Sequence, residues 1–171
     1  MRFTNCLIMM SFFLLIFING FTQQNQKSRR ETRIEKKAQV ASLVDSMIVA
    51  NDYVFNARSA HPMSMPVINL SSEYDLRIKG DSVYVYLPYY GRAYQADYMS
   101  TEGGIKLEGL YEEYSVEKDD NGYEISFKAK TDTDTYTFNL SVSGAGYASL
   151  HVSSYNRQSI TFNGIIIGLG L

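Results

Sequence analysis

The chain has 171 residues, 45% of them hydrophobic, with 16 Lys and Arg against 18 Asp and Glu, no tryptophan and one cysteine, Cys6. A lone cysteine excludes an intramolecular disulfide and any sulfur-ligated metal cluster, and the slightly acidic balance excludes the polybasic surface that nucleic acid demands. The length suits one domain whose stability comes from a packed core.

Met1-Arg2 is followed by an almost unbroken apolar block from Cys6 to Ile18 and then by Asn19-Gly20-Phe21-Thr22. This basic, apolar, small-residue order is that of a secretory signal peptide. About 13 apolar positions are too few to span a bilayer. An uncleaved anchor is the competing reading, but no cationic stop-transfer cluster appears before Lys27. Cleavage is expected after Thr22, which makes residues 1–22 the leader and removes Cys6. Because Cys6 stands at the front of the apolar block, it cannot accept a lipoprotein lipid. The mature protein is therefore expected in the periplasm, exported and without a transmembrane span.

Residues 23–52 form a basic segment and one amphipathic helix. From Glu31 to about Asn51, Ile34, Ala38, Ala41, Val44 and Ile48 recur at spacings of three and four, with Leu43 and Met47 widening the stripe. Residues 27–37 carry six basic and two acidic groups, whereas residues 38–171 carry nine against sixteen. A solvated helix start accounts for the basic tip, with a patch for anionic lipid or polysaccharide as the sharper alternative.

Residues 53–171 alternate apolar and polar side chains at period two, which predicts strands. Gly80-Asp81 makes a two-residue hairpin loop that faces Ile78 with Val83, Leu76 with Val85 and Tyr74 with Leu87. Asn121-Gly122 suits a type I′ turn and sets Val116 opposite Phe127 and Tyr114 opposite Ala129. For Gly144-Ala145-Gly146, a three-residue loop with Gly146 left-handed buries a continuous strip by facing Val142 with Ala148, Leu140 with Leu150 and Phe138 with Val152. That choice turns His151 away from the core. With the shorter runs Tyr53–Ala57, Gly104–Leu107 and Gln158–Ile167, eight to ten strands follow, with the tail from Gly164 as the closing one. The predicted fold is all-β: an antiparallel, lipocalin-like barrel or half-open barrel behind one N-terminal helix, with a two-sheet sandwich as the alternative.

The stretch Leu87-Pro88-Tyr89-Tyr90-Gly91-Arg92-Ala93-Tyr94, and the positions Gly146-Tyr147-Ala148, Leu150 through Ser153, Arg157, Ile160 and Gly164, resemble the family known as domain of unknown function 4251. The likeness covers most of residues 35 to 167. It implies an exported protein of Bacteroidetes, often a lipoprotein, with a barrel of lipocalin-like topology, and it implies no activity. The missing lipoprotein cysteine is a departure from that pattern.

No nucleophile elbow, phosphate-binding loop, HExxH helix or dinucleotide fingerprint occurs, so no catalytic residue and no cofactor are assigned. His61 and His151 lie 90 positions apart without a flanking carboxylate or thiol, and no metal site is expected. Glu112 and Glu113 are neighbours on a strand and should point to opposite faces unless a bulge intervenes. Asp132 and Asp134 read as a polar hairpin tip rather than a calcium loop. Tyrosine is the feature above background: all 14 belong to the mature domain, and six fall between Tyr84 and Tyr98. Tyr84 and Tyr86 should form an outer aromatic face able to seat the helix. Tyr89, Tyr90, Arg92, Tyr94 and Tyr98 leave the regular strand after a proline, and are the candidates for stacking a ring while Arg92 holds an anion. The expected function is a non-enzymatic binding or accessory module for a small ligand or an envelope protein. The alternatives are a structural component of an envelope assembly and a hydrolase whose carboxylates meet only in the fold.

Overall fold

Alternation of buried and exposed side chains along most of the strands decides the architecture, seen in a computed structural model that describes residues 28–94 and 104–169. The leader with Cys6, Tyr98 and the last two residues lie outside the described residues. The chain divides into two compact units, Met1–Gln39 and Val40–Leu171. In the first, residues 28–39 are helical and exposed, including Ile34 at 65%. The helix, α1, continues to residue 49 within the second unit.

Eight strands follow: β1 (Asp52–Pro62), β2 (Ile68–Lys79), β3 (Ser82–Leu87), β4 (Ile105–Lys118), β5 (Gly122–Lys130), β6 (Thr135–Ser143), β7 (Tyr147–Ser154) and β8 (Ile160–Gly168). Each pairs antiparallel with the next, and β8 pairs with β1, so the sheet closes into a barrel without a free edge. The sandwich alternative is excluded. Gly104–Leu107 supplies no strand of its own: residues from Ile105 open β4.

Period-two patterning turns one side of every strand inward. Ile125, Leu140, Leu150, Phe162 and Ala60 are successive partners across β5, β6, β7, β8 and β1, and all are at most 1% exposed. A second row runs from Phe127 through Phe138 and Val152 to Ile160, and the Phe127 and Phe138 rings stack at 5.0 Å. These side chains face the barrel interior. Each buried Leu, Ile or Phe contributes about 1.5–3 kcal/mol relative to exposure, which is what balances the ordering entropy without a disulfide.

Two of the three hairpins have the register that their turn chemistry implies. Ile78 faces Val83 and Leu76 faces Val85 across Gly80-Asp81. Gly146 adopts φ 81°, which a side chain would resist, and Val142 faces Ala148 and Leu140 faces Leu150, with His151 exposed. The third differs. The Asp119 carboxylate accepts hydrogen bonds from the Asn121 and Gly122 amides at 2.8 and 2.7 Å, enlarging the loop to residues 119–122. Val116 therefore faces Ile125, not Phe127.

A bulge in β4 between Glu112 and Ser115 also changes the pairing: Tyr111, not Tyr114, faces Ala129. Glu113 takes φ 54° at this bulge, and Glu112 and Glu113 both reach lysines of β5, Lys130 and Lys128. The two carboxylates are thus on one face, the exception allowed for a bulge. Tyr111 and Tyr114 both turn to Phe127, with ring centroids 5.7 and 6.2 Å away.

The C-terminal half of α1 packs at the barrel end that carries the β4–β5 and β6–β7 turns. Val44 and Ile48 are 2% exposed, and Asp45 accepts from the Tyr123 hydroxyl at 2.8 Å and pairs with Lys118 at 3.1 Å. These partners hold the Asp45 carboxyl below its ordinary range, Tyr123 foremost. Leu43 and Val49 stay exposed, so the buried stripe is narrower than its sequence pattern. The helix contacts lie at these turns and not on Tyr84, whose ring lies 5.3 Å from the Arg77 guanidinium. Arg77 in turn bonds Asp75, buried on the outer wall, at 2.6 Å.

Candidate functional site

At the opposite end of the barrel, the chain leaves β3 through buried Pro88 and runs alongside the β7–β8 loop. A bridge between Ala93 and Arg157 is flanked by bonds from the Tyr94 amide to Asn156 and from the Gln158 amide to Arg92, at 2.8 and 3.0 Å. Tyr89 fastens the suture: its hydroxyl lies 2.9 Å from both the Arg92 and the Gln158 carbonyl oxygens. The Arg157 guanidinium lies over the Tyr89 ring at 5.2 Å, while its Nη1 donates to the Gly104 carbonyl at 3.1 Å. Burial raises the Tyr89 phenol above its ordinary pKa. Gly91 is dictated by this contact, because a Cβ there would run into the Tyr89 hydroxyl.

Of the five residues expected to form a ligand site, the four that are described differ in exposure and in partners. Tyr89 is occupied by the suture, Tyr90 is half-buried against the core, and Arg92 and Tyr94 are exposed, Tyr94 at 68%. Tyr98 falls outside the described residues. A recess of about 300 Å³ lies instead on the outer wall beside the stretch, lined by Tyr74, Tyr86, Leu87, Pro88, Tyr89, Gly104 and Lys106. The Tyr74 and Tyr86 rings meet at 5.4 Å, and Lys106 Nζ stands 5.0 Å over the Tyr86 ring. Two aromatic faces beside an ammonium can take a flat ring and an anionic substituent together. Tyr84, the other residue of the expected outer face, is 40% exposed one turn of the pleat away.

The histidines serve local bonds. His61 Nε2 lies 3.1 Å from Ser59 Oγ and 3.0 Å from Asn163 Nδ2, and His151 Nδ1 lies 3.0 Å from Thr161 Oγ1. Among the described residues no group of three His, Cys, Asp or Glu gathers at metal-binding range. Asp134 is buried in the β5–β6 loop, where its Oδ1 accepts from the Thr135 amide at 2.8 Å.

A family model described as "Domain of unknown function (DUF4251)" matches residues 35–166. The chain belongs to the DUF4251 family. A crystal structure of a DUF4251 family protein from Bacteroides eggerthii DSM 20697 at 1.95 Å resolution is similar with a TM-score of 0.60 and 15% identity, over 77% of this chain and 89% of that one. At that identity the likeness is one of fold. No curated protein matches the chain.

In this DUF4251 barrel, the recess residues that the sequence reading missed are Tyr74, Gly104 and Lys106. Tyr74 looked like a core residue facing Leu87, but it is half-buried and its ring reaches Tyr86. Lys106 is the cross-strand partner of Tyr86, a pairing across a long stretch of sequence without turn chemistry to reveal it. Arg157, not Arg92, is the arginine that meets an aromatic ring of the stretch.

Proposed function

We propose that this DUF4251 protein is an exported, non-enzymatic binding module of the periplasm that holds a small ligand on the outer wall of its barrel. The observation that carries the reading is the division of labour between inside and outside. Phenylalanine and aliphatic side chains, joined by buried Tyr53, Tyr123 and Tyr136, form the core, while Tyr74, Tyr86 and Lys106 leave an open recess of about 300 Å³ on the wall. That volume is at the lower limit of the roughly 300–1,000 Å³ typical of small-molecule sites. Its chemistry suits one ring bearing a carboxylate. Export rests on the leader pattern of residues 1–22.

The chain lacks tryptophan, so quenching of tyrosine fluorescence reports binding directly. Titration of the purified protein with N-acetylmuramic acid, a ring with a carboxylate, is expected to saturate, and Tyr86→Ala or Lys106→Ala to weaken it about tenfold, the equivalent of 1.4 kcal/mol. A long-chain fatty acid is expected to leave the melting temperature unchanged. A fatty acid that stabilises the protein while Tyr86→Ala has no effect would place the ligand inside the barrel and overturn the proposal.

A further inference from the structure

A second recess, of about 370 Å³, crosses β4 to β7 on the outer wall. Glu112, Lys128, Thr137 and Ser153 are successive cross-strand partners there, a row of four strands and hence about 14 Å long. Lys130 pairs with Glu112 at 2.7 Å and Lys128 with Glu113 at 2.5 Å. Hydroxyls of Thr135 and Ser154 widen the lining, and Tyr155, 90% exposed, stands at its margin.

The arrangement contributes little to folding. Exposed ion pairs stabilise a fold only weakly, and a glutamate held at φ 54° costs backbone energy against them. Yet the bulge at Glu113 is what brings the second carboxylate to this face. The result is a polar strip with two ammonium groups and two carboxylates, so it has no net charge. A free anion or cation meets as much repulsion as attraction on such a strip. A neutral polyol does not, since each hydroxyl both donates to a carboxylate and accepts from an ammonium or a serine or threonine hydroxyl. An aromatic ring left in water beside such a strip offers the apolar face on which a sugar ring stacks.

We infer that the β4–β7 strip, with Glu112, Glu113, Lys128, Lys130 and Tyr155, is a binding site for a neutral saccharide. It is separate from the Tyr74–Tyr86 recess and does not depend on it.

Calorimetric titration of the whole protein with maltotetraose, cellotetraose and tetra-N-acetylchitotetraose tests this. At least one is expected to bind, with Tyr155→Ala weakening it about threefold to tenfold and Glu113→Gln by a similar factor. Both side chains are exposed, so an unchanged urea midpoint should accompany the loss. Tyr86→Ala is expected to have no effect, which separates this site from the first. Because no net charge is neutralised, raising salt should hardly change the affinity. The inference is overturned if none of the three binds at about 10 mM, if binding survives both substitutions, or if a sulfated sugar binds far more tightly with a steep salt dependence.

Discussion

Tyr89 and Gly91 act as one unit. The phenol bonds two carbonyls from different segments, and its ring occupies the space that any Cβ on residue 91 would need. Gly91→Ala is expected to destabilise the protein by about 1–2 kcal/mol, because the clash displaces the hydroxyl from its two carbonyl acceptors. Tyr89→Phe keeps the ring and loses only the bonds, so about 1 kcal/mol is expected. Urea unfolding of both variants gives the comparison, and a Gly91→Ala midpoint equal to that of the parent would show that the suture tolerates a side chain. The dense tyrosine stretch was legible in the sequence, but the fate of its first member was not. Gln158, which holds the Tyr89 hydroxyl, is 69 positions away, and a contact at that separation has no local signature. The same gap explains why Arg92 drew attention in place of Arg157.

At the level of elements, turn chemistry was informative wherever backbone conformation alone set the loop. Gly146 and the Gly80-Asp81 pair fix two registers because only certain residues fit those angles. Asn121-Gly122 misled because the Asp119 side chain competes for the turn amides and draws two more residues into the loop. The β4 bulge has no sequence marker at all, since a glutamate is an unusual occupant of the left-handed region. The helix shows a further limit of pattern reading. Its apolar stripe from Ile34 to Ile48 is continuous, but burial is confined to the last two turns, where Val44 and Ile48 pack at the barrel end. Ile48→Ala is expected to cost about 2–5 kcal/mol, whereas Ile34→Ala should stay within about 0.5 kcal/mol. Equal shifts in urea midpoint for the two would contradict this division of the helix.

The closed barrel places three tyrosines where its interior meets the helix junction, and their protons matter to the whole molecule. Tyr53 and Tyr114 hydroxyls lie 3.3 Å apart, Tyr114 donates to Asn51 Oδ1 at 3.0 Å, and Tyr111 donates to the Gly80 carbonyl at 2.5 Å. Burial is the first cause that raises all three phenols above 10.0, and most strongly Tyr53. Unfolding releases them to ionise near that ordinary value, so their contribution is complete below about pH 10 and is lost as pH climbs toward the raised folded values. Lys118, raised chiefly by its contact with Tyr123, acts in the same direction. The urea midpoint is therefore expected to be flat from about pH 7 to 9 and to fall above 10, with the deeply buried Tyr53 contributing up to about 1.4 kcal/mol per pH unit and the more exposed groups less. Tyr53→Phe should lower stability at neutral pH by about 1 kcal/mol and make the alkaline fall shallower, because the most deeply buried proton is gone. Stability that persists unchanged to pH 11 would mean that these hydroxyls ionise as readily in the folded barrel as in the open chain.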